Sequence, residues 1–128
     1  MKNKPAKKIE LLCPAGDFQC LIAAIKAGAD AVYFGLKDFN MRASAENFSI
    51  KDLKQMREIC KRVKMYLTLN VIVYDNEIKK IEQIIKKAKS FVDAVICWDI
   101  AIIQLCKKHR VPFHISTQAS ISNEKAAK

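Results

Sequence analysis

At 128 residues and 14.5 kDa, with 51% apolar and 28% charged residues, the chain has the composition of a globular protein and the length for one sizeable core. These proportions exclude a disordered or low-complexity chain, and no apolar run nears the ~20 residues a bilayer requires, so a cytoplasmic protein with no membrane contact is expected. The net charge of +10, from 23 basic and 13 acidic residues, suits a nucleic-acid or anionic partner; pairs such as Lys79-Lys80 and Lys86-Lys87 equally suit the solvated faces of helices.

Residues 1–8 are basic and are expected to be a disordered N-terminus. The apolar run that follows is short and interrupted by Glu10, which predicts no export leader. A first strand over Glu10–Cys13 runs into Pro14-Ala15-Gly16-Asp17, where Asp17 caps the first helix and Gly28 closes it at a position that wants left-handed backbone. A second strand spans Ala31–Gly35. The loop from Phe39 to Phe48 interleaves aromatics with Arg42 and amides, a mix suited either to stacking on unpaired bases or to an apolar plug over the rim. Ser49 and Asp52 form a capping box ahead of a helix carrying Leu53, Met56, Cys60 and Val63. A third strand is predicted over Met65–Val73. After Tyr74, the spacing of Ile78, Ile81, Ile84, Ile85, Ala88 and Phe91 predicts a helix with one apolar stripe. A fourth strand, Ala94–Trp98, precedes a helix whose end carries His109, a favourable cation there. A fifth, Phe113–Thr117, leads to a new helix beginning within residues 122–127.

Strict alternation of strand and helix predicts an α/β fold with a parallel sheet. Right-handed crossovers then allow either an open doubly wound sheet or one arc of a (β/α)₈ barrel. A complete barrel takes ~250 residues, so if the fold is a barrel, residues 9–128 hold only about half of one, some four and a half βα units. Such an arc keeps two open sheet edges and an uncovered face, and a truncated barrel domain, or a unit needing a missing C-terminal half or a partner chain, is the expectation.

In parallel α/β folds, ligands bind at the carboxyl ends of the strands, and here those ends turn polar. Asn70, Asp99 and His114 are the candidate catalytic residues. Arg42, Asn47, Thr68, Ser116, Thr117 and Gln118 are the candidates for holding a substrate rich in hydrogen-bonding groups. A polar layer that merely satisfies a barrel interior accounts for the same residues. Ser116 and His114, two apart on one strand, do not make a nucleophile–base–orienter triad, and neither a G-x-S-x-G elbow nor an H-E-x-x-H metal motif occurs. The five cysteines, at 13, 20, 60, 97 and 106, have no C-x-x-C spacing, so no metal site is predicted. Cys60 and Cys106 read as small core residues, while Cys13 and Cys97 lie near strand ends.

Six blocks in order carry a family resemblance: 10–17 (ELLCPAGD), 28–35 (GADAVYFG), 39–43 with 46–49 (FNMRA and ENFS), 67–70 (LTLN), 92–95 (VDAV) and 114–119 (HISTQA). From Ile9 to Lys128 the chain resembles the N-terminal part of the U32 family of collagenase-like peptidases, with Cys13 standing where the family more often has a small residue. The resemblance implies the barrel, and that these four and a half βα units are its first. It also implies an oxygen-independent hydroxylase more than a protease: family members hydroxylate a wobble uridine of tRNA, an rRNA cytidine or a ubiquinone precursor, several with a [4Fe–4S] cluster and with prephenate as implicated oxygen source. tRNA, or other RNA, is therefore the expected partner, and 5-hydroxyuridine formation the expected reaction. The cluster cysteines of the family fall C-terminal to this segment, so no cofactor is expected in this chain itself. A U32 peptidase and a non-catalytic half-barrel binding or assembly module are the alternatives.

Overall fold

The computed structural model describes residues 9–37 and 48–128. Five strands, β1 (Leu12–Pro14), β2 (Ala31–Gly35), β3 (Lys64–Thr68), β4 (Ala94–Cys97) and β5 (Phe113–Ile115), alternate with helices α1 (Phe18–Lys26), α2 (Leu53–Cys60), α3 (Ile78–Ala88), α4 (Ile100–His109) and α5 (Glu124–Ala127). All strand pairs are parallel, and the order across the sheet is β1-β2-β3-β4-β5. A doubly wound sheet reverses its strand order at one point; this sheet never does.

Side chains alternate along each strand, so the sheet presents two unlike faces. One carries Val32, Phe34, Met65, Leu67, Val95 and Cys97, which pack with Leu21, Leu53, Met56, Ile81, Ile85 and Ile102 of the helices in a single core. The other carries Ala31, Tyr66 and Ala94, joined only by Tyr33 and Ile96. Strand residues alone make up that second cluster, so the described helices pack on one face of the sheet and not on the other. Unreversed order with helices on one side is the winding of a barrel arc.

Local chemistry sets the element ends as the sequence indicates. Asp17 Oδ1 accepts from Cys20 N–H at 2.6 Å, and these amide bonds hold its carboxyl below its ordinary range. Gly28, at φ +91°, ends α1 in backbone that other residues adopt at a cost. Asp52 reaches back to accept the amide of Ser49 at 2.7 Å and its hydroxyl at 2.8 Å, opening a 3-10 turn that leads into α2. On α3 the residues Ile81, Ile85 and Ala88 are fully buried, each isoleucine contributing about 1.5–3 kcal/mol by leaving water. A charged residue at 85 would leave an unpaired charge inside the core.

Two aspartates perform one job at two places. Asp30, just before β2, donates its amide to Leu11 O and accepts from Leu11 N at 2.9 Å. Asp93, just before β4, does the same with Met65, accepting from its amide at 2.8 Å. Each is followed by Ala-Val, so a repeated D-A-V triplet ties the start of every second strand to the strand before it.

Two strands are shorter than their apolar runs suggest. The third stops at Thr68: Leu69 N–H makes a last bond across to Ile96 O, and the chain then leaves the sheet. The fifth stops at Ile115, and Thr117–Ala119 curl into a 3-10 turn closed by Ser120 in left-handed backbone. Phe48 does not sit over the rim. It is buried in the helix-side core, edge-on to Phe18 at 5.1 Å and to Phe34 at 5.7 Å. Phe39 and the N-terminal residues 1–8 lie outside the described residues, as do Arg42 and Asn47.

Candidate functional site

The open face is built in rows. The ladder register aligns Tyr33, Tyr66 and Ala94, then Gly35, Thr68, Ile96 and His114 one row nearer the strands' carboxyl ends. One row further, where the ladder has ended, stand Asn70, Trp98 and Ser116. Ser116 N–H bonds Cys97 O, and Trp98 Nε1–H donates to Asn70 O at 3.1 Å. Parallel strands with this register place Thr68 and His114 on the side of the sheet where no described helix packs, and Asn70 and Ser116 follow two residues beyond them at the strand ends.

What each group has left to offer differs. The Thr68 hydroxyl is buried and donates to Phe34 O at 2.9 Å, a bond within the sheet. Ser116 is buried and its hydroxyl donates to Gln118 Oε1, so the 3-10 turn folds Gln118 back onto the strand end; Thr117 is exposed. The exposed His114 ring meets Tyr66 edge-on, with centroids 4.7 Å apart. Asp99 is the N-cap of α4: Oδ1 accepts from Ala101 N at 2.8 Å and Oδ2 from Val73 N at 3.2 Å. Both oxygens hold backbone, which fixes the loop after β3 against the start of α4. Asn70 alone keeps an idle buried group. Its Oδ1 is buried and has no hydrogen-bond partner among the described residues.

Toward the amino ends of the strands a second polar group lies across the same sheet. Glu10 accepts from Lys64 Nζ at 2.6 Å and from Tyr66 Oη at 2.7 Å. The Lys64 ammonium and then the Tyr66 hydroxyl hold the Glu10 carboxyl below its ordinary range, while Glu10 in turn raises Lys64. Burial, then the bond to Glu10, pushes the Tyr66 phenol up. Sequence reading missed this set, because Glu10 and Tyr66 lie 56 residues apart; the period-2 spacing of Lys64, Tyr66 and Thr68 was the available signal.

The cysteines do not fit a four-thiolate cluster. Cys60, Cys97 and Cys106 are buried in the helix-side core, Cys13 is partly buried and Cys20 is exposed on α1. Among the described residues no group of three or more His, Cys, Asp or Glu side chains converges on a point. Hydrogen bonding to Cys106, with burial, pushes the Cys97 thiol up, which leaves it a core thiol and a poor nucleophile. Nor is any helix among the described residues long and apolar enough to cross a membrane.

Comparison with known proteins gives a consistent set of relatives. The model of peptidase family U32 matches residues 16–128. A protein named collagenase from Porphyromonas gingivalis is 46% identical over 121 residues, covering 91% of this chain and 29% of that protein. A tRNA hydroxylation protein P1 from Bacillus subtilis is 35% identical over 130 residues, covering 98% of this chain and 31% of its own length. The 23S rRNA 5-hydroxycytidine C2501 synthase of Escherichia coli is 36% identical over 124 residues, covering 94% and 19%. The chain thus spans less than a third of the length of these curated relatives. No solved structure gives a significant match.

Proposed function

Because this chain belongs to peptidase family U32, we propose that the open face of its sheet takes part in the hydroxylation of an RNA base, with uridine in tRNA as the first candidate and 5-hydroxyuridine as the product. The observation that carries this reading is the set of polar residues at the carboxyl ends of β3 and β5, where His114 meets the ring of Tyr66 and Trp98 bonds the backbone of Asn70. A planar base needs an apolar or aromatic wall for its faces and hydrogen-bonding groups for its edge, and this face offers both. The net charge of +10 favours encounter with a polyanion. Relatives named for tRNA hydroxylation and for 5-hydroxycytidine synthesis in 23S rRNA lend support.

Asn70 and His114 are the residues we set against the base, with Ser116, Thr117 and Gln118 at the rim. Asp99 shapes the rim from behind through Val73 and Ala101. Thr68, with its hydroxyl engaged by Phe34 O, contributes its methyl group. Arg42 and Asn47 remain candidates for the backbone of the RNA on charge and hydrogen-bonding capacity alone. The thiols described above do not suit an iron–sulphur cluster.

Proteolysis is the second reading, favoured by the 46% identity to a protein named collagenase. Mass spectrometry of nucleosides from total tRNA and rRNA, before and after disruption of the gene, decides between them. Loss of 5-hydroxyuridine, restored by the intact gene, is the expected result. Unchanged RNA, together with collagen cleavage by the purified protein, would overturn hydroxylation in favour of proteolysis.

A further inference from the structure

Asn70 stands two residues beyond Thr68, where the chain has just left β3. Its Oδ1 is the buried side-chain oxygen or nitrogen without a partner among the described residues, while its neighbours have committed theirs: Thr68 to Phe34 O, Ser116 to Gln118, and both oxygens of Asp99 to backbone amides. A carboxamide oxygen accepts up to two hydrogen bonds. Buried without one, it forfeits the water bonds it has in the unfolded chain, and native proteins seldom leave such a group idle. Trp98 Nε1–H donates to the residue's backbone carbonyl at 3.1 Å, which fixes the main chain that carries the amide. The fold therefore carries a desolvated acceptor at the carboxyl end of the sheet, one that a donor brought against it would satisfy.

Resting on the reading of this face as a site for an RNA base, we propose that Asn70 is a specificity-determining residue whose side-chain carbonyl accepts a hydrogen bond from an N–H on the Watson–Crick edge of a pyrimidine. Uracil offers N3–H there and cytosine its exocyclic amino group. Sites built to receive a substrate N–H discriminate strongly against an analogue that lacks it, because the site's own polar group is then left unpaired.

The test uses the full chain and three short single-stranded RNAs of one sequence, carrying uridine, cytidine or 3-methyluridine at the central position, with binding read by fluorescence anisotropy and folding by thermal denaturation. The parent protein should bind the uridine or the cytidine RNA at least tenfold more tightly than the 3-methyluridine RNA, and whichever of the two binds better names the base. Asn70→Ala should bind all three alike, with a Tm equal to or above the parent's, because an unsatisfied acceptor has been removed. Asn70→Asp, which keeps an acceptor, should retain the preference. A parent protein that binds RNA but treats all three alike overturns the assignment and leaves the RNA site standing. A Tm loss of several degrees in Asn70→Ala also overturns it, because the amide would then be structural. No RNA binding by the parent sinks both the assignment and the site beneath it.

Discussion

Replacing Arg57 should cost this fold more than any other single surface-reaching charge in the described residues. The guanidinium projects from α2, with only 26% of its side chain exposed. Nη1 donates to Asp93 Oδ2 at 3.0 Å and to Phe91 O at 3.4 Å, and Nη2 donates to Lys61 O at 3.1 Å and to Val63 O. One planar fork thus ties the end of α2, where Lys61 sits at φ 47°, to the turn before β4, and Asp93 passes the tie on to Met65 N. Bonds from a charged donor are worth ~1.5–3 kcal/mol when shielded. On a side chain that water partly reaches, we take about 1 kcal/mol for each of the two carbonyls in the α2–β3 turn, little for the 3.4 Å contact, and about 0.5 kcal/mol for the pair with half-exposed Asp93. Arg57→Ala should then lose ~2–3 kcal/mol, which for a domain of this size is roughly 8–11 °C in Tm. Arg57→Lys should recover less than half of that, because an ammonium on a flexible stem cannot serve both sides of the fork. Urea and thermal unfolding of the three proteins measure it, given two-state behaviour. An alanine variant within 2 °C of the parent, or a lysine variant equal to it, would refute the account of Arg57 as a clamp.

Asp99→Ala should destabilise by ~1–2 kcal/mol, since it frees the amides of Ala101 and Val73 together, whereas Asp99→Asn should keep most of the stability; an alanine variant that loses RNA hydroxylation with its Tm intact would instead return Asp99 to the reacting groups. Glu82 accepts from His109 Nε2 at 2.7 Å and pairs with Lys108 at 2.8 Å and Lys86 at 3.7 Å, Lys108 and then His109 lowering its pKa from 4.5 to about 2. A folded-state pKa below the unfolded one gives stability that is complete above pH 4.5 and disappears as pH falls toward 2. The urea midpoints of the parent and Glu82→Gln should therefore converge over that window, and a gap as wide at pH 2.5 as at pH 7 would sink the prediction.

Wherever a signal is local, the chain already carried it. Alternating patterns, the isoleucine stripe of α3, the Ser49–Asp52 box, the Asp17 cap and the left-handed Gly28 concern residues within one or two turns of each other, and each appears in the structure. Polar ends on β3 and β5 were legible too, because strand period fixes which residues share a face. The D-A-V triplets at 30 and 93 were also in plain view, but their meaning was not, since each aspartate works on an amide 19 or 28 residues earlier.

The sequence by itself determined the element types, their order, the parallel sheet they imply and which side chains end each strand. Only the tertiary structure decided that the strand order never reverses and that the described helices fall on one face. It also decided what each polar group is engaged in. Asp99 and Asn70 look alike as polar ends of apolar runs, yet Asp99 caps α4 and holds Val73, while Asn70 Oδ1 is buried without a partner. The difference is physical: propensity and periodicity act over a few residues, whereas the satisfaction of a buried oxygen depends on every chain segment packed around it.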